Sequence, residues 1–101
     1  MAWVQLQEAE EATWEQYEAV TREVGDDAPE GLIVHAAGVY EGNRWRSVSV
    51  WESEEAFNRF RDERLMPAVL RALGEEMAAA GPPPTESFEA KHLVRGSGGS
   101  T

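Results

Sequence analysis

The sequence predicts an α+β fold, a four-stranded antiparallel sheet with two helices on one face. Three observations carry it: four short segments alternate with a period of two, two longer segments repeat apolar residues at helical spacing, and cap or turn residues punctuate the joins.

In chain order, WVQLQ (3–7) sets Val4 and Leu6 on one face and Trp3, Gln5 and Gln7 on the other, as a strand does. TWEQYEAVTREVG (13–25) follows, with Thr13 and Gln16 at capping-box spacing, Trp14, Tyr17, Val20 and Val24 at helical intervals, and Gly25 as the stop. The loop DDAPEG leads into a second strand, LIVHAAGVY (32–40). EGN (41–43) is a tight hairpin turn, and RWRSVSVW (44–51) returns antiparallel to the second strand. Ser53 is placed to cap a second helix, with Glu54 and Glu55 in its first turn near the positive end of the helix dipole. Phe57, Phe60, Leu65 and Met66 mark the buried side of that helix. Pro67 must kink or restart it for want of an amide donor, and Val69, Leu70, Leu73 and Met77 continue it towards Gly81 and PPP (82–84). ESFEAKHLV (86–94) gives the fourth strand, with Phe88, Ala90 and His92 on one face and Leu93 on the other. The order β-α-β-β-α-β is the split β-α-β arrangement of ferredoxin-like folds. It fills one domain, residues 1–95, and GSGGST (96–101) is read as a flexible tail or an expression remnant.

Composition narrows the function classes. The absence of cysteine excludes a disulfide framework, thiolate metal sites and cysteine nucleophiles, and it fits a reducing cytosol. No apolar run approaches the roughly 18 residues of a membrane span, so a soluble, cytoplasmic protein is expected. The net charge is -10, and residues 1–31 hold nine acids against Arg22 alone. Such a field repels phosphate backbones and anionic lipid, which argues against nucleic-acid and membrane partners. The acid run EAEEA (8–12) reads as a solvated face, and Arg59, Arg61 and Arg64 are expected to pair with Glu54, Glu55 and Glu63.

The third strand carries Val48 and Val50 on one face and Trp45 and Trp51 on the other, so both faces of the sheet ask for cover. Helices supply one. A second sheet from an identical subunit supplies the other, giving a C2 homodimer, a dimeric α+β barrel.

The segments GLIVHAAG (31–38), WRSVSVWESEEAFNRF (45–60), ERLMPAV (63–69) and AKHLV (90–94) resemble, in this order, the antibiotic biosynthesis monooxygenase-like proteins of the dimeric α+β barrel superfamily. The resemblance implies the ferredoxin-like fold and a range of activities: cofactor-free oxygenation of polycyclic phenols or anthrones, haem degradation, lactone isomerisation, or none known. Similar proteins usually have an acidic residue where Ser49 stands and a more apolar first strand, departures that also fit a pocket rebuilt by design or selection. The haem-degrading members place an axial histidine on the second helix, whereas residues 53–80 contain none.

In this fold the first strand lies between the third and the fourth, and the second pairs with the third. If the registers cooperate, Gln5, His35, Ser47, Ser49, Trp51 and His92 line one surface, with Trp3, Trp45 and Phe88 as apolar walls, a concave small-molecule site. His35, in the middle of an apolar strand, is the first candidate base, because burial keeps an imidazole neutral at pH 7. A structural histidine bonded to backbone or serine is the competing reading. His92, beside Lys91, is the second candidate. Gln5 is suited to stabilise an oxyanion, Ser47 and Ser49 to bond the imidazole or a substrate oxygen, and Trp51 to pack or to stack on a ligand. No acid is identifiable to complete a serine triad. Neither H-x-H nor H-E-x-x-H occurs, so no metal is expected, and the resemblance to cofactor-free oxygenases implies no other cofactor.

Three functional readings follow. The first is a small dimeric enzyme resembling cofactor-free monooxygenases, in which His35 or His92 deprotonates an aromatic or phenolic substrate. The second is a base-catalysed proton transfer or elimination in the same pocket, and the third a non-catalytic small-molecule-binding or dimerisation module.

Overall fold

The computed structural model describes residues 2–9, 13–80 and 85–96. Strand β1 spans Trp3–Ala9, helix α1 Trp14–Val24, β2 Leu32–Glu41, β3 Arg44–Trp51, α2 Glu54–Phe60, α3 Met66–Leu73, α4 Glu75–Ala80 and β4 Thr85–Glu89. The strands form one sheet in the order β2-β3-β1-β4, every pair antiparallel. This is the expected ferredoxin-like βαββαβ topology. The PPP run and the 97–101 part of the tail lie outside the described residues.

Local chemistry sets most boundaries. Thr13 Oγ1 accepts from the Gln16 amide at 3.2 Å while Gln16 Oε1 accepts from the Thr13 amide at 3.0 Å, the reciprocal capping box that starts α1. At its far end Gly25 adopts φ 93°, and Arg64 Nη2 donates to the carbonyls of Val24 (3.0 Å) and Asp27 (2.9 Å). Arg64 therefore caps a helix terminus instead of pairing with the expected glutamates. Arg61 also departs from that expectation, bonding Asp62 and Asn58. The hairpin closes through Gly42 at φ 60°, the left-handed position a two-residue turn reserves for glycine. Ser53 Oγ caps α2 through the Ala56 amide at 3.1 Å.

Two features of the helical half differ from the sequence expectation. Pro67 is absorbed by a π-helical turn at Arg61–Leu65, in which the Met66 amide bonds Arg61 five residues back; the wider turn lets the helix continue without the proline's donor. The segment then breaks at Gly74, φ 92°, which separates α3 from α4 where one helix was expected.

Strand β4 is shorter than predicted, for a reason the register makes plain. Trp3 faces Glu89 and the Ala90 amide bonds the Ala2 carbonyl at 2.8 Å, so from Lys91 onward β4 has run past the start of its partner strand.

The two sheet faces are covered unequally. On the helix side Trp45 and Trp51 are buried with Phe57 and Ala68, while Leu6 (39%), Val34 (54%), Val48 (38%) and Phe88 (54%) keep much of their exposure on the other side. A β-bulge between Leu32 and Val34 decides which side receives His35. Strict alternation would put Leu32 and His35 on opposite faces; the extra residue, Ile33, flips the parity and turns the imidazole towards the helices.

Candidate active site

The register lays polar side chains in rows across the helix side of the sheet. Ser87, Gln5, Ser49 and His35 stand opposite one another on β4, β1, β3 and β2, and the next row is Thr85, Gln7, Ser47 and Ala37. Trp3 and Trp51 pair on one flank of this polar strip and Trp45 closes the other. Phe57 and Phe60 pack on Trp51 with ring centres 5.5 and 5.4 Å away, and Tyr17 packs on Trp45 at 4.9 Å. The floor is therefore polar and the walls aromatic.

Burying such a floor is costly unless its groups are bonded. Gln5, Ser47 and Ser49 are only 4%, 8% and 5% exposed. Gln7 Nε2 donates to Thr85 Oγ1 at 3.2 Å, and Ser49 Oγ lies 2.7 Å from His35 Nδ1. Among the described residues the buried side-chain atoms left without a hydrogen-bond partner are the indole N–H groups of Trp45 and Trp51. Helix layer and sheet thus enclose two indole donors whose bonding capacity is unused.

The second imidazole nitrogen is also engaged. Tyr17 Oη lies 2.7 Å from His35 Nε2, and the two rings are nearly parallel at 12°. Helix α1 is anchored over this point by the hairpin turn: the Trp14 amide donates to the Asn43 carbonyl at 2.9 Å and Asn43 Nδ2 to Glu15 Oε1 at 3.0 Å. His35 nonetheless stays an exposed residue. Partial burial of its ring pushes its pKa below the ordinary histidine value. Burial likewise raises that of the Tyr17 phenol, the Thr21 hydroxyl drawing it part of the way back. Imidazole and phenol are both neutral at pH 7, so a proton on one side of the ring must be matched by a bare nitrogen on the other.

The structure brings Gln5, His35, Ser47, Ser49, Trp3 and Trp51 to one face, and it removes two predicted members. Phe88 pairs with Val4 on the opposite face and is no wall of this site; parity within β4 had left its absolute side open. His92 lies beyond the end of β4, exposed and in no strand. Tyr17, which the sequence marks only as an apolar-face helix residue, completes the site. Its one readable signal is that a tyrosine on a buried face needs a partner for its hydroxyl.

The larger hollow, about 680 Å³, is on the wrong side for this chemistry: it lies on the uncovered sheet face against Leu6, Ala36, Gly38, Tyr40, Arg46 and Val48. A smaller one of about 280 Å³ runs beside α1 and reaches Tyr17, Glu18 and Arg22. Among the described residues no three His, Asp or Glu side chains converge as metal ligands, and no helix is long and apolar enough to cross a membrane.

No protein-family model and no curated protein matches the chain. Among solved structures it is similar to SnoaB, a cofactor-independent oxygenase from Streptomyces nogalater, with 18% identity, 92% of this chain and 94% of that one covered, and a TM-score of 0.50. It is similar also to NE2512, a protein of unknown function from Nitrosomonas europaea, with 16% identity, coverage of 96% and 93%, and a TM-score of 0.56. A third, protein YJCS, shares 15% identity over 89% of this chain and 98% of that one, with a TM-score of 0.53. At such identities the likeness is one of fold, the ferredoxin-like α+β architecture.

Proposed function

We propose that the protein is a small-molecule enzyme resembling cofactor-free monooxygenases, in which His35 assists deprotonation of an aromatic or phenolic substrate held between sheet and helices. The observation that carries this reading is the imidazole bonded on both sides, to the Tyr17 phenol and to the hydroxyl of the buried Ser49, with the Gln5 side chain opposite Ser49 on the next strand. A lowered pKa keeps the ring available to accept a proton at pH 7. The Gln5 amide, facing Ser49 across the strand pair, is placed to bond an oxygen on which negative charge grows, and the part-buried Trp3 flanks the site for an aromatic body, while Trp51 packs against Phe57 and Phe60. The electron-rich anion then reacts with dioxygen, as in the oxygenases the chain resembles. The protein's own work is to position the substrate, take the proton and exclude water.

Ser49 in place of a carboxylate favours a second reading, a proton transfer or elimination that uses the same base and no oxygen. Oxygen uptake decides between them. Dissolved oxygen is followed while polycyclic phenols are turned over: consumption that scales with turnover supports the oxygenase, and turnover under argon supports the proton transfer. A His35→Ala variant that keeps all turnover overturns both and leaves a binding or dimerisation module.

The assembly we infer is a homodimer formed through the open sheet face. Leu6, Val34, Val48 and Phe88 present a contiguous apolar surface that the helices do not cover, and antiparallel sheets with both faces apolar bury both.

A further inference from the structure

We propose that the atom exchanging a proton with the substrate is Ser49 Oγ, and that Tyr17, His35 and Ser49 form a two-ended relay carrying that proton between the buried floor and solvent. This rests on the base reading above and specifies how the base works. Neither imidazole nitrogen is free to meet a substrate: Nδ1 is bonded to Ser49 Oγ and Nε2 to Tyr17 Oη, each at 2.7 Å. A substrate proton must therefore reach the ring through one of those two oxygens. The ends differ in environment. Ser49 is 5% exposed and stands directly opposite Gln5, itself a buried residue, whereas Tyr17 is half-buried and borders the hollow that runs beside α1. The row continues from Gln5 to the exposed Ser87 on the sheet edge, an approach for substrate on the far side from Tyr17.

The proton count balances. Ser49 Oγ takes the substrate's proton while its own passes to Nδ1, the proton on Nε2 passes to Tyr17 Oη, and the Tyr17 proton leaves to solvent. One proton enters, one departs, and the ring ends as the other neutral tautomer without holding a charge in its partly buried site. Run backwards, the same chain returns a proton to product. Gln5 and Ser49, about 5 Å apart as cross-strand neighbours, then hold adjacent substrate atoms. Ser49 is the catalytic residue of this scheme, and Tyr17 is a positioning and relay residue.

Two measurements test it on the full chain. Long-range proton–nitrogen NMR of the His35 ring at neutral pH is expected to show both nitrogens averaged between bare and protonated, and Tyr17→Phe to collapse them onto one tautomer. A wild-type ring fixed in a single tautomer overturns the relay whatever the kinetics show. The second uses 5-nitrobenzisoxazole, whose ring opens when one C–H proton is lost and the N–O bond breaks, with no co-reactant. His35→Ala, Ser49→Ala and Tyr17→Phe are each expected to lower kcat about a hundredfold or more, the small end of general-base effects, with KM little changed for Tyr17→Phe and turnover retained by Ser49→Thr. If His35→Ala abolishes turnover and Ser49→Ala does not, the imidazole meets substrate itself and the relay falls while the base survives. If His35→Ala keeps turnover, the base reading falls, and the NMR result still decides whether the three groups exchange a proton.

Discussion

At the residue scale, His35 links the site to stability. Its partners are Tyr17 from α1 and Ser49 from β3, both neutral, and no charged side chain is bonded to it among the described residues. Its folded pKa lies below the unfolded value because burial penalises the imidazolium. The unfolded chain therefore binds the proton more readily. The stability that neutral His35 contributes is complete above about pH 6.5, drains away as pH falls below that value, and stops changing once pH is below the folded pKa. Urea unfolding at pH 7.5 and 5.5 should show a larger loss in the wild type than in His35→Gln; equal losses would mean that the ring is not held neutral. The sequence marked His35 as unusual, since an imidazole inside an apolar strand needs a partner. Which partner was not readable. The Tyr17 bond joins residues 18 apart through the docking of a helix on a hairpin turn, and no local pattern encodes that.

At the element scale, boundaries written in backbone chemistry were legible and those set by pairing were not. Thr13, Gln16, Ser53 and Gly25 cap where their types predicted. Thr13→Ala is expected to cost about 1 kcal/mol in chemical denaturation through loss of the cap. By contrast, β4 ends where β1 has no further residues to offer, and the bulge at Ile33 that aims His35 has no signature in an apolar run. Gly31 illustrates a glycine whose role appears only in three dimensions. It adopts φ 87°, and a Cβ there would sit 2.6 Å from the Ala56 side chain at the start of α2. Gly31→Ala combines left-handed strain with a clash and should destabilise by about 2 kcal/mol or more. Gly42→Ala, also at positive φ but with nothing near its Cβ, isolates the backbone term and should cost less. Equal losses in thermal and urea unfolding would show that the Ala56 contact does not matter.

At the scale of the whole molecule, the small core and the bare sheet face are two aspects of one arrangement. Among the described residues five hydrophobic side chains make up the buried core, whereas the face opposite the helices leaves Val34 and Phe88 each 54% exposed. Packing two such sheets face to face, about 10 Å apart, would bury those side chains and fill the large hollow beside Ala36 and Gly38. Arg46, bonded to Glu8 at 2.7 Å with its guanidinium 4.0 Å from the Tyr40 ring centre, would then sit where the apolar surface gives way to charge. Val48→Lys places a charge amid that surface, and charge is tolerated there only if water reaches it. Sedimentation equilibrium should find a dimer for the wild type and a monomer of lower melting temperature for the variant. Because Val48 points away from the helices while its neighbours Ser47 and Ser49 point towards them, the His35 ring should keep its NMR signature in any folded monomer. A wild type that is itself monomeric, with Val48→Lys equally stable, would show that the face needs no cover and that assembly plays no part in holding this fold together.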